Sequence, residues 1–309
     1  MTTPLGIGLP QNHHYNVGRD VPDVARAVEQ IGYESVWAYE RALFPEPATQ
    51  GLFGMPGVDW PDSYRSVAEP LITLALAASA TERVRLGTSV LVAPLHQPFQ
   101  LARTLATLDA ASGGRVVAGF GTGWSLDEYA AAGIRPFEAR GTVLDEVIGV
   151  CRAVWGPDPV SYDGEITRIS SAVVGPKPAR PIPILLAASN KAAQRRVIDH
   201  ADGWLPLALG AERTAAQWRA LRELAAERGR TRPIQTVLRA NAEYTPEPYR
   251  GSDRALFQGN AEQIVEDLVP HAAIGFDEIL IDLQRGPRDA QELVDVAAEV
   301  YEKARAAGV

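Results

Sequence analysis

Cysteine occurs once in 309 residues, at Cys151, so no disulfide can close within the chain and no CxxC pair exists to hold a metal or a redox centre. Set in VIGVCRAVW, that thiol reads as a core residue. Long hydrophobic runs are missing too: none reaches the roughly eighteen residues that a membrane-spanning helix requires. The N-terminal MTTPLGIGLPQ lacks a basic stretch followed by a long apolar one, so it does not read as a secretory signal, and a cytoplasmic protein is expected. Basic charge is in deficit, with 30 Lys and Arg against 38 Asp and Glu and a net charge of -8. Without a Lys/Arg cluster to grip phosphates, a nucleic-acid surface is excluded. The 5 histidines form neither HxH nor HExxH, so a metal site is not expected.

What is present is a rhythm. Short apolar runs alternate with longer amphipathic segments, the signature of repeated βα units and a parallel sheet. Candidate strands are 5–9, 35–39, 85–92, 115–120, 182–187, 203–207, 234–240 and 278–283. The segments 20–31, 66–80, 97–112, 137–155, 190–201, 211–229, 261–273 and 289–306 read as the helices that follow. A doubly wound open sheet would also alternate, but eight pairs in this length match a closed barrel. The expected fold is therefore α/β, a (β/α)8 TIM barrel forming a single domain over 1–309, with insertions in its rim loops. Gly32 and Gly275 punctuate two helix-to-strand turns. Three Pro- and Gly-rich segments, 44–62, 156–181 and 244–259, break the rhythm. The first and third follow strands and so belong to the C-terminal rim, where barrel active sites are assembled. The middle one reads as a small hairpin or a plain connection. Trp60 and Tyr64 flank the first rim loop, to line an apolar substrate pocket or to anchor the loop.

Two turns invite a ligand. GFGTGW, residues 119–124, sets glycines at a strand end, where backbone N–H groups and the Thr122 hydroxyl can approach a ligand without Cβ obstruction. It lacks the third glycine of the dinucleotide fingerprint, and alone it is ordinary turn chemistry. AASNKAAQRR, residues 187–196, runs from a strand into a helix whose first turn exposes unpaired amides, a ready anion site. Ser189 or Asn190 also suits the cap of that helix, and the two roles can coexist.

The order of segments carries a resemblance. GTSVLVAPLHQPFQLARTLATLDAASGGRVVAGFGTGWSLDEYAAAG, residues 87–133, resembles the third and fourth βα units of luciferase-like monooxygenase-family barrels. LGIGLPQ, IGYESVWAYER, VGPKPARPIPILLAASNKAAQRR and ADGW extend the likeness over nearly the whole chain. The family includes FMN monooxygenases and enzymes using the deazaflavin coenzyme F-420; the match through LATLDAASGGR and GFGTGWSLDE is most similar to the F-420 branch. The resemblance implies an oxidoreductase transferring a hydride between coenzyme F-420 and a small organic substrate, with an FMN-dependent monooxygenase as the alternative. A homodimer is implied on the same basis.

On that resemblance the cofactor contacts fall on Thr88, Ser89, Val90 and Val92, on Gly121, Thr122, Gly123 and Trp124, and on Ala188, Ser189 and Asn190, with the last three at the phosphate. In deazaflavin members a non-proline cis peptide supports the ring, and it maps onto Ser89 and Val90. The chain departs from the family at WAYER: Glu40 and Arg41 stand where many deazaflavin relatives carry an Asp-His pair. Arginine cannot shuttle protons near neutral pH, which leaves Glu40 as the proton donor or acceptor and Arg41 as an electrostatic partner. Trp124 stands where the family's sugar-phosphate dehydrogenases carry an acidic residue, and both changes argue against that activity. His14, after the first strand, is a candidate substrate contact. A barrel that only binds a flavin-like ligand and a metal-dependent hydrolase are the rivals; neither accounts for the ordered set of segments.

Overall fold

In a computed structural model, residues 2–309 are described, and eight strand positions close into a parallel barrel. In chain order the elements are β1 (Leu5–Gly8), α1 (Val17–Ile31), β2 (Ser35–Ala38), α2 (Pro70–Ala80), β3 (Arg85–Thr88), β4 (Leu91–Val92), α3 (Pro98–Ser112) and β5 (Val116–Gly121). There follow α4 (Leu126–Ala132), α5 (Arg140–Trp155), β6 (Val160–Asp163), β7 (Arg168–Ala172), β8 (Ile184–Leu186), α6 (Lys191–His200) and β9 (Gly203–Trp204). The chain ends with α7 (Ala211–Glu227), β10 (Gln235–Asn241), β11 (Glu243–Tyr244), β12 (Gln258–Gly259), α8 (Ala261–Ala272), β13 (Glu278–Asp282) and α9 (Ala290–Ala306). The first and last barrel strands pair through Ile7 and Ile281, and closure is completed where β3 meets β5 at Leu86 and Val116. The expected barrel is the observed one.

Two packed layers hold it. Inside the barrel, Trp37, Val117, Leu185, Leu205, Val237 and Leu280 form one buried cluster, while the opposite faces of the strands pack against the helices in a second, larger one that includes Cys151. The Trp37 indole needs a gap beside it, because a Cβ on Gly87 would overlap its ring. Positive φ at Gly32 and Gly275 confirms both expected turns.

The differences lie at element ends. The third strand, expected as one run over 85–92, is two pieces, because the chain bulges at Ser89 and Val90 through a non-proline cis peptide at the place the resemblance gave. Helix α1 begins at Val17, not 20, with Asn16 capping it by accepting from the Arg19 N–H. Helix α2 starts at Pro70, not 66, where Glu69 caps it. The helix expected over 137–155 is a short 3-10 turn followed by α5, and α4 before it was not foreseen. Its signal was present in SLDE, for Ser125 accepts from the Glu128 N–H as a serine cap does. The middle insertion is a hairpin, β6 against β7.

Candidate active site

A cleft of about 520 Å³ opens at the C-terminal end of the barrel. It gathers side chains from β2, the β3–β4 bulge, the β5 end, the turn before α6, the β9 end and β10. Of the residues expected to contact a cofactor, Ser89, Val90, Val92, Gly121, Thr122, Gly123, Trp124, Ala188 and Ser189 line it, as do Glu40 and Arg41. Three do not. Thr88 is 1% exposed and its hydroxyl is committed to the neighbouring strand, accepting from the Gly119 N–H at 3.0 Å and donating to the Gly119 carbonyl at 2.8 Å. Asn190 caps α6, its Oδ1 accepting from the Ala193 N–H at 2.9 Å. His14 lies outside the cleft on an exposed loop, its ring tilted against Tyr15 with centroids 4.1 Å apart. Burial, then neighbouring His13, lowers the pKa of His14.

The glycines of β5 have a reason that the sequence did not disclose. A Cβ on Gly119 would coincide with the Thr88 carbonyl oxygen, and one on Gly121 would come within 2.6 Å of Val90 Cγ2. They make room for the bulging strand beside them, and Gly123 has φ +68, which a side chain resists. The same absence of Cβ leaves the cleft wall flat.

Glu40 is 7% exposed, and both its oxygens are engaged: Oε2 accepts from the Val92 N–H at 2.6 Å and Oε1 lies 2.7 Å from His96 Nε2. Burial disfavours a charged His96 ring, but the hydrogen bond and charge of Glu40, with Glu69 adding, outweigh it, so its pKa rises above the ordinary histidine range. His96 was not singled out in the sequence because it forms no motif; its position in the loop after the third strand was the available signal.

Arg41 is committed to its surroundings. Its Nε donates to the Glu40 carbonyl at 2.8 Å, and Nη2 lies 3.2 Å from Glu128 Oε2 in an ion pair without hydrogen-bond alignment. Its Nη1 is buried with no hydrogen-bond partner, and the guanidinium sits 5.0 Å from the Trp124 ring, 5.7 Å from Tyr64 and 5.8 Å from Trp60. Those π faces take the place of oxygen acceptors. Burial raises the Glu128 pKa, against Arg41 and the Ala42 N–H, which hold it down. Of the two rim aromatics, Tyr64 lines the cleft; Trp60 anchors the loop through its N–H to the Gln50 carbonyl at 3.0 Å.

Arg239, on β10, is the third charged side chain of the cleft. Its Nη2 pairs with Asp282 at 2.5 Å, its Nε donates to Asn241 Oδ1 at 2.7 Å, and Nη1 donates to the Ser89 carbonyl. A charged and an amide residue two apart near the end of an apolar strand face the same way, and that alternation was legible. Among the described residues no three His, Cys, Asp or Glu stand close enough to hold a metal, and no helix is long and apolar enough to cross a membrane.

Comparison with known proteins gives the family. The luciferase-like monooxygenase family matches residues 4–247. An uncharacterized protein of Mycobacterium tuberculosis is 34% identical over 188 residues, 59% of this chain and 65% of the relative. An F420-dependent glucose-6-phosphate dehydrogenase of Amycolatopsis mediterranei is 28% identical over 190 residues, 60% of this chain and 53% of that protein. The matched region thus spans less than two thirds of either relative. Among solved structures, an F420-dependent secondary alcohol dehydrogenase in complex with an F420-acetone adduct superposes with a TM-score of 0.77 over 99% of this chain and 100% of its own, at 18% identity. With the family matched over well more than half its length, the chain belongs to the luciferase-like monooxygenase family.

Proposed function

We propose that this chain is an oxidoreductase that transfers a hydride between coenzyme F-420 and a small organic substrate in the cleft at the barrel mouth. The observation that carries the proposal is the convergence on one cleft of Ser89–Val92, Gly121–Trp124 and Ala188–Ser189, which lie far apart in the chain. Relatives named for F420 dependence support it. A second reading, an FMN-dependent monooxygenase, is favoured by the description of the family itself.

The residues present fit a flat tricyclic cofactor with a phosphate tail. Val90, Val92 and Leu205 offer apolar contact to a ring, and Thr122 and Ser189 offer hydroxyls. The first-turn amides of α6, next to Ser189, suit a phosphate. Bound there, the coenzyme would supply two-electron hydride chemistry, and the chain would supply position and charge. Glu40, hydrogen-bonded to His96, sets an acid-base pair at the edge of the cleft. Arg41 orders the rim loop through its ring contacts. Phe53, Leu207, Leu209 and Trp124 make the mouth apolar, which favours an apolar substrate over a sugar phosphate.

Fluorescence titration of the cofactor-free protein with F-420 and, separately, FMN tests the reading. F-420 binding at micromolar concentrations or below, with FMN much weaker, is expected. The reverse preference would establish the monooxygenase reading, and binding of neither would remove both.

A further inference from the structure

Of the three charged side chains lining the cleft, two face away from a ligand's needs: Glu40 shares its carboxylate with His96 and Val92, and Arg41 is closed in by Glu128 and three rings. Arg239 differs. Its side chain is 16% exposed and lines the cleft, whereas its partner Asp282 is 5% exposed and lines only a small void beneath. The ion pair is therefore oriented, with its cation toward the cleft and its anion behind.

Asn241 shares that inward face. An arginine only donates hydrogen bonds, so the 2.7 Å contact to Arg239 Nε fixes the Asn241 carbonyl oxygen toward Arg239. The amide nitrogen is left on the other side as a donor at the cleft wall. Arg239 itself cannot swing away, because Asp282 and the Ser89 carbonyl hold its two ends and it lies over the Tyr39 ring at 5.4 Å. Behind it, Asp282 Oδ1 accepts from Gln284 Nε2 at 2.9 Å, which fixes the anion as well. The result is a preorganised pair of donors at one corner of an otherwise largely apolar slot.

We infer that Arg239 and Asn241 bind the oxygen-bearing pyrimidinedione edge of the ring and favour its reduced form, in which the added electron density concentrates at that edge. The inference rests on the proposed tricyclic cofactor, and because deazaflavin and FMN share that edge it holds for either. Arg239 and Asn241 are cofactor-binding residues on this account, and Asp282 and Gln284 are positioning residues.

The test is equilibrium binding of oxidised and reduced F-420, and of FMN, to the wild type and to three variants: Asn241→Ala, Arg239→Lys and the double variant Arg239→Met with Asp282→Asn. The double variant removes the pair together, so that no buried charge is stranded. The wild type is expected to bind the reduced form more tightly. The double variant is expected to lose that preference by about tenfold, which for a two-electron couple lowers the potential of the bound cofactor by about 30 mV. Arg239→Lys keeps most of the preference, and Asn241→Ala weakens both forms severalfold. If the wild type binds one of the cofactors and Asn241→Ala and the double variant match it in affinity and preference, the inference is overturned while the cofactor reading stands. If the double variant does not fold, unchanged binding by Asn241→Ala overturns it. If the wild type binds neither cofactor, both fall.

Discussion

The two ends of the barrel each bury a carboxylate paired with an arginine, and the two arginines face different ways. At the N-terminal end, Glu278 is 1% exposed and saturated: Ser35 and Trp37 donate to one oxygen and Arg85 pairs with the other. Its arginine points outward, with a side chain 43% exposed. At the C-terminal end, Asp282 lies on the same strand as Glu278, and its arginine points into the cleft. One pair closes the bottom of the barrel; the other turns its cation toward the cleft. Barrels in general place stability at the first end and chemistry at the second.

Substitutions can break this contrast. Glu278→Ala leaves the Ser35 hydroxyl without its acceptor and the Trp37 N–H with Ser35 Oγ alone in a tight interior, and we expect a loss of about 1–3 kcal/mol in urea denaturation. Cofactor affinity of the folded protein should stay within about twofold of wild type, because each 1.4 kcal/mol is tenfold and this end touches no ligand. A parallel loss of affinity would show that the two ends are not separable. Gly121→Val has the opposite profile. Its Cβ meets Val90 and its methyls enter the cleft wall, so a stability loss of about 1–3 kcal/mol should accompany a fall in cofactor affinity well beyond tenfold.

Glu40→Gln sharpens the comparison through pH. The raised His96 pKa means that the Glu40–His96 contact contributes fully below the unfolded histidine value of about 6.5 and is lost as pH rises through the folded value. Wild type should therefore exceed Glu40→Gln in stability by about 1 kcal/mol near pH 6, and by less at pH 9. In the variant the His96 ring, followed by NMR, should titrate at lower pH. An unmoved titration would show that Glu40 is not what raises it. The smallest effect is at the α6 cap, where Asn190→Ala should cost about 0.5–1 kcal/mol and Asn190→Ser should restore it in the same melt.

Much of this was legible in the sequence, for identifiable reasons. The barrel was, because βα alternation and the Gly32 and Gly275 turns are local signals. So was the bulge at Ser89 and Val90, through resemblance. Helix α4 was signalled by SLDE but lay inside a block read for its glycines. His96 and Glu128 were not legible as partners of Glu40 and Arg41, since the first contact joins residues 56 positions apart and the second 87, in βα units that only the closed barrel brings together. The glycines at 119 and 121 were read as openings for a ligand, whereas the bulging neighbour strand already requires them.

The division of labour between the two ends is tested most directly by amide hydrogen exchange with and without F-420. The account predicts added protection in peptides covering 88–92, 119–124, 187–193 and 239–241, with none in those covering 35–37 and 278–280. Protection spread equally over both ends, or confined to segments away from the cleft, would contradict it.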